Sequence, residues 1–186
     1  TFSRFFEWFR EVCDIENAQA AHLFQHILDN HQDSESDLNS DIEENHSEKQ
    51  EKSDFELGYA LYQNRSQLHT PCLLALKSAL NSVFPELTDI YLEYLPKLQL
   101  VVNYQQQIIP YNQLNSTLKN WIALVGDIVR RLCLLNPNSL YPCLEGDGIL
   151  LIDNVDAQLD AVHTQNILER LHQAFPHLQI IVTGTN

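Results

Sequence analysis

Residues 148–160 read GILLIDNVDAQLD. Four apolar residues, Ile149, Leu150, Leu151 and Ile152, run without interruption into Asp153. A short continuous apolar run of this kind predicts a strand buried on both faces. Downstream, LDAVHTQNILERLHQAF (159–175) has helical spacing, and LQIIVTG (178–184) is a second apolar run. Strand, helix, strand predicts a βαβ unit whose two strands lie parallel. In such sheets the functional groups gather at the carboxyl ends of the strands. Asp153 falls at one end, and Thr183, Gly184 and Thr185 at the other.

Working outward, residues 2–28 predict an amphipathic helix, with Phe2, Phe5, Phe6, Phe9, Cys13, Leu23, Phe24, Ile27 and Leu28 at helical spacing. The aromatic stripe reads as core or helix contact. His22 and His26 stand at i and i+4, but no third ligand is placed near them, so they read as surface histidines. Thr70 and Pro71 form a helix start, N-cap then first turn, for a helix reaching Pro85. DIYLEYL (89–95) and LQLVVNY (98–104) predict strands. QQQIIPY (105–111) predicts a turn and a short edge strand that tolerates Pro110. Residues 114–135 predict a long helix stopped at Asn136 and Pro137, with Leu118, Trp121, Ile122, Val125, Val129, Leu132 and Leu135 on its apolar face.

The formal charge is −14, and residues 32–54 hold half of it, with nine acids and two lysines. That segment has one leucine, one isoleucine and no aromatic residue, too little apolar surface to offset its ordering entropy. It reads as a solvated acidic insertion; an acidic tether for a basic partner is the other reading. The acidic balance argues against direct nucleic-acid binding. No apolar run approaches a membrane span, and no signal-peptide pattern opens the chain. Cys13, Cys72, Cys133 and Cys143 are widely spaced without a C-x-x-C pair, which reads as reduced cysteines of a cytoplasmic protein. With no methionine, and with the chain ending just past an apolar strand, the sequence reads as an internal piece of a longer protein.

An apolar strand ending in aspartate has a clear chemical use. The carboxylate can hold Mg²⁺, usually through water, beside a nucleotide's phosphates, and a glutamate after it can orient or deprotonate the attacking water. Here the next residue is Asn154. The phosphates need a loop of the form G-x-x-x-x-G-K-[ST]. Gly58, Gly126, Gly146, Gly148 and Gly184 offer no match.

YPCLEGDGILLIDNVDAQLD (141–160) with LERLHQAFPHLQIIVTGTN (168–186) resembles the C-terminal half of an ABC-type ATPase. The nearest group is the RecF/SMC-like set of predicted ATP-binding proteins, related to the ATPases of Septu and retron defence systems. YNQLNSTLKNWIALVGDIVRRLCLLNP (111–137) is similar to that family's signature segment and following helix, and TFSRFFEWFREVCDIEN (1–17) to the helix entering its helical lobe. The resemblance covers most of the chain outside the acidic insertion and is strongest from Gln113 onward. It implies that Asp153 is the Walker B aspartate and metal ligand and that Asp156 is the D-loop aspartate. It sets the signature L-S-x-G-E on Leu114, Asn115, Ser116, Thr117 and Leu118, of which only the leucine is kept. The catalytic glutamate falls on Asn154, an amide that cannot take a proton near neutral pH. The switch histidine falls on Thr185.

The expected fold is α/β: the C-terminal half of a P-loop NTPase domain of ABC type with a parallel βαβ unit, plus a helical lobe. The expected divisions are a helical lobe at 1–31, the acidic insertion at 32–54, a helix with antiparallel strands at 55–112, and the signature helix with the Walker B half at 113–186. Cofactor contacts are expected at Asp153, Asp156, Asn115, Ser116 and Thr117, with Asp153 on the metal and no catalytic residue. The expected function is a non-hydrolysing, structural or regulatory ATPase-like module in bacterial defence or DNA maintenance. An active subunit of a composite site and an interaction domain that has lost nucleotide are the alternatives. ATP and Mg²⁺ are expected only in the full-length protein. The expected partner is a second copy or another subunit, within a DNA-associated complex that this chain does not itself tether to DNA.

Overall fold

A computed structural model describes residues 2–36, 70–155 and 166–184. The chain divides into two compact units, Thr1–Val12 with Pro71–Asn186, and Cys13–Thr70.

Helix α1 spans Phe2–Ser36. It runs past residue 28, where the apolar spacing ends, and takes in the first residues assigned to the acidic insertion. Propagating a helix adds one hydrogen bond per residue, and no Pro or Gly interrupts this stretch. The remainder of the insertion lies outside the described residues. In the larger unit, Phe5, Trp8, Phe9 and Val12 are buried at i, i+3, i+4 and i+7. In the smaller unit, Glu16 Oε1 accepts from the Thr70 amide at 3.1 Å.

Helix α2, Pro71–Val83, buries Leu73, Leu76, Ala79, Leu80 and Val83, and Pro85 follows its end. Strands β1 (Leu87–Glu93), β2 (Gln99–Tyr104) and β3 (Gln107–Pro110) form an antiparallel sheet in the order β1-β2-β3. Gln105 and Gln106 join β2 to β3 with φ of 51° and 63°. Two left-handed residues are what a tight hairpin matching the strand twist needs. Pro110 closes β3 at the sheet edge, where a missing N–H removes no ladder bond. Lys77 of α2 pairs with Asp89 of β1 at 2.9 Å.

Helix α3 runs Ser116–Leu135, two residues later than the apolar pattern suggests. A short 3-10 turn, Tyr111–Gln113, takes up the chain first, and Asn115 caps the helix by accepting from the Leu118 amide at 2.7 Å. Its apolar face includes Leu118, Trp121, Ile122, Val125, Val129 and Leu132, all buried. Trp121 meets Phe84 nearly edge-on, centroids 6.2 Å apart. Gly126 is where α1 and α3 come together. A Cβ there would stand 2.4 Å from the Phe5 ring, so the closeness of the two helices requires glycine. The close packing offsets the cost of about 1 kcal/mol of a glycine inside a helix.

Asp127 is the buried charge of α3. Its Oδ1 accepts from Arg130 Nε and Nη2 at 3.0 and 2.8 Å, and its Oδ2 from Arg131 Nε at 2.9 Å. Burial raises this carboxyl, but the two guanidiniums outweigh it and hold it below the ordinary range.

A short helix α4 (Pro142–Glu145) leads into β4 (Gly148–Ile152). Helix α5 (Ile167–Ala174) precedes β5 (Leu178–Val182). β4 and β5 pair in parallel, Gly148 opposite Leu178 through Ile152 opposite Val182. The strand-helix-strand pattern read from the sequence is therefore present, and the described fold is mixed α/β with a parallel two-stranded sheet. Arg170 of α5 reaches the Val83 carbonyl at the end of α2 at 3.4 Å.

Candidate functional site at the carboxyl ends of the parallel strands

The site is built where β4 and β5 stop. Hydrophobic pairing delivers both strands to the same level, so the residues just after Ile152 and Val182 meet. Asp153 and Asn154 leave the first strand, and Thr183 leaves the second. The Thr183 hydroxyl donates to Asp153 Oδ1 and accepts from the Asn154 amide, the latter at 2.9 Å. The backbones are stitched too: Thr183 N donates to the Ile152 carbonyl at 3.0 Å, and Val155 N to the Thr183 carbonyl at 2.9 Å. Four hydrogen bonds thus hold a turn of three exposed residues, Asp153, Asn154 and Thr183.

Asn154 adopts φ of 53°. That left-handed region is costly for most L-residues, while Asn and Gly enter it readily. The residue type at 154 thus suits the backbone it must adopt, independently of any catalytic part.

The other residues singled out by the sequence are spread apart or fall elsewhere. Asp156 and Thr185 lie outside the described residues. Asn115, Ser116 and Thr117 start α3, and the Asn115 carboxamide oxygen is engaged as the helix cap. Leu118, on the position of the signature glutamate, is buried in the core at 3 % exposure. A carboxylate there would be costly to desolvate. No hydrogen bond or ion pair joins this helix start to Asp153 among the described residues.

The donor set is oxygen-rich but small. The Asp153 carboxylate and the Thr183 hydroxyl are hard ligands of the type Mg²⁺ takes, with water or phosphate supplying the rest. Among the described residues no group of three His, Cys, Asp or Glu side chains could hold a metal by itself. A separate apolar cavity of about 270 Å³ opens between α2, α4 and α5, lined in part by Leu74, Ala75, Tyr141 and Leu144, and it includes none of the strand-end residues.

Thr183 is the residue whose role sequence reading missed. The sequence placed it at a strand end, but only the parallel register sets it opposite Asp153.

No family model matches the chain. It is 33% identical to the retron Ec83 probable ATPase of Escherichia coli, across 98% of this chain and 35% of that protein. It is 27% identical to the retron Vc95 probable ATPase of Vibrio cholerae serotype O1 biovar El Tor, again across 98% of this chain and 35% of that protein. The chain therefore spans about a third of the length of the curated relatives it matches. Over nearly its whole length the chain is thus similar to part of two proteins named as retron probable ATPases.

Proposed function

We propose that this chain is the Walker B half of a P-loop nucleotide-binding domain of the ABC, RecF/SMC-like type, acting as a non-hydrolysing structural or regulatory module in bacterial defence. The observation that carries the reading is the turn after β4. An aspartate at the end of a parallel strand is held by Thr183, and the residue after it is an asparagine in left-handed backbone. Asp153 keeps a carboxylate at the strand end, where Mg²⁺ beside a nucleotide's phosphates would sit. Bound there, Mg²⁺ would neutralise phosphate charge. Asn154 offers an amide, which binds and orients but removes no proton from water. The Thr183 hydroxyl fixes which way the Asp153 carboxylate faces.

Two further observations support a half-domain. The outward face of the parallel pair carries Ile149 at 68 %, Leu151 at 71 % and Ile181 at 47 % exposure. Parallel sheets are normally covered on both faces. The relatives are also about three times as long as the matched chain, which leaves room for the strands and phosphate loop that complete the site. ATP and Mg²⁺ belong to that longer protein. Its location is the cytoplasm, and its partner is a second copy or another subunit. No helix among the described residues is long and apolar enough to cross a membrane.

The test is steady-state phosphate release by the full-length protein with ATP and Mg²⁺. Turnover no faster than background, unchanged by Asp153→Ala, is the expected result. The relatives are named probable ATPases, and that favours a second reading, an active subunit of a composite site. Robust turnover abolished by Asp153→Ala establishes that second reading instead.

A further inference from the structure

The cavity between α2, α4 and α5 lies wholly within the larger unit and apart from the strand ends. α2 packs on both of the other helices. The cavity follows α2 from Leu74 to Ser82, about 12 Å along the helix axis. Every described residue that lines it is uncharged. Its mouth is apolar and open to solvent: Leu74, Leu140, Tyr141 and Leu144 are between 50 % and 68 % exposed. Single exposed apolar residues need no explanation, but several gathered around one concavity mark a contact surface.

A cation borders this surface. Arg170 of α5 stands three and four positions before Gln173 and Ala174, which both line the cavity, so it lies on the same side of that helix. Its Nη1 reaches the Val83 carbonyl, next to Ser82 of the cavity wall. That single bond, at 3.4 Å, leaves most of the guanidinium fork open, and no carboxylate among the described residues pairs with it. Glu145, next to Leu144, already accepts from the Ser139 hydroxyl.

We propose that this groove docks an amphipathic helix of a partner protein, which fills the cavity with one large apolar side chain and sets a carboxylate on Arg170.

Size selects the anchor. The volume of about 270 Å³ is room for roughly nine waters, close to the number of heavy atoms in one indole ring. A single aromatic side chain desolvated in such a pocket carries much of an interface's energy. Length selects the helix. The groove runs more than two turns along α2, over which a docked helix presents side chains at i, i+4 and i+7. Charge selects the acid, because a guanidinium takes a carboxylate through two parallel hydrogen bonds. Arg170 is already tied to Val83 and loses little freedom on binding. No strand-end residue takes part, so the docking site stands apart from the nucleotide reading.

The probe is a fluorescein-labelled, Ala-rich helical peptide of about 16 residues, with one Trp at its centre and a Glu one turn to either side. Its binding to purified full-length protein without nucleotide is read by fluorescence anisotropy. The expected result is saturable binding that weakens about thirtyfold or more when the peptide's Trp is replaced by Ala. Leu144→Asp in the protein weakens it about tenfold. That side chain is half in water, so the variant keeps its fold, which an unchanged thermal midpoint verifies. Arg170→Glu weakens binding about fivefold, and a peptide with Lys in place of Glu regains that loss on this variant. The charge swap separates a contact with the partner from a structural role at the end of α2. Absence of saturable binding, or binding indifferent to both Leu144→Asp and Arg170→Glu, overturns the proposal. So does a groove that is already filled. A Leu144→Cys variant that maleimide fails to label at position 144 in the full-length monomer puts another part of the same polypeptide there. A dimer that Leu144→Asp dissociates in sedimentation puts a second copy there.

Discussion

The two sheets of this chain solve the same problem differently. In the antiparallel sheet, β1 alternates buried and open positions, and Leu87, Ile90 and Leu92 are buried. Its main face packs against the helices of the larger unit, and in β2 both faces are covered at Leu100, Val101 and Val102, so the sheet is satisfied as it stands. In the parallel pair, apolar residues occur on successive positions and therefore on both faces. Leu150 and Ile152 are partly covered, while Ile149 and Leu151 are largely exposed. The contrast teaches which region is self-sufficient. The meander belongs to a finished core, and the parallel pair has the composition of a central strand pair with one face uncovered.

Removing a side chain from the finished sheet should have the largest effect. Ile90 has 0 % exposure in β1, so Ile90→Ala leaves a cavity and should cost about 2–5 kcal/mol by urea unfolding. A loss under about 1 kcal/mol would show that the meander is not the tightly packed region.

The strand-end turn gives a middle-sized effect with a sign that depends on the residue. Asn154→Gly keeps the left-handed backbone at 154 and should be nearly neutral. Asn154→Glu puts a longer side chain into that conformation and should destabilise by about 1 kcal/mol. If the glutamate variant is as stable as the glycine variant, backbone conformation is not what suits asparagine to this turn. The comparison also bears on function, since restoring a carboxylate at 154 strains the same turn that holds Asp153.

The smallest effect is expected on the open face. Leu151→Ser in the 186-residue chain should change stability by no more than about 0.5 kcal/mol, because the side chain is already in water. The same substitution in the full-length protein should cost more, about 1.5–3 kcal/mol if the side chain is fully covered there. Equal effects in the two proteins would mean that the face stays open, and the contrast between the sheets would lose its meaning.

The sequence by itself determined the elements and much of their order. Periodicity placed the apolar stripe of α1 at Phe5 and Phe9, the Thr70-Pro71 pair the α2 start, the tolerance of Pro110 the edge strand, and continuous apolar runs the two strands that proved parallel. These signals are local: each needs only neighbours a few positions away along the chain. Asp153 was legible as a candidate for the same reason, being the first polar residue after an apolar run. Tertiary structure alone decided what depends on residues far apart. Thr183 meets Asp153 only because the strands pair in register. Leu118 faces the core, although a sequence alignment of motifs reads its position as a glutamate site. Gly126 is required by a ring from α1. A side chain's partner across the fold is set by packing geometry, which chemical pattern along the chain constrains but does not specify.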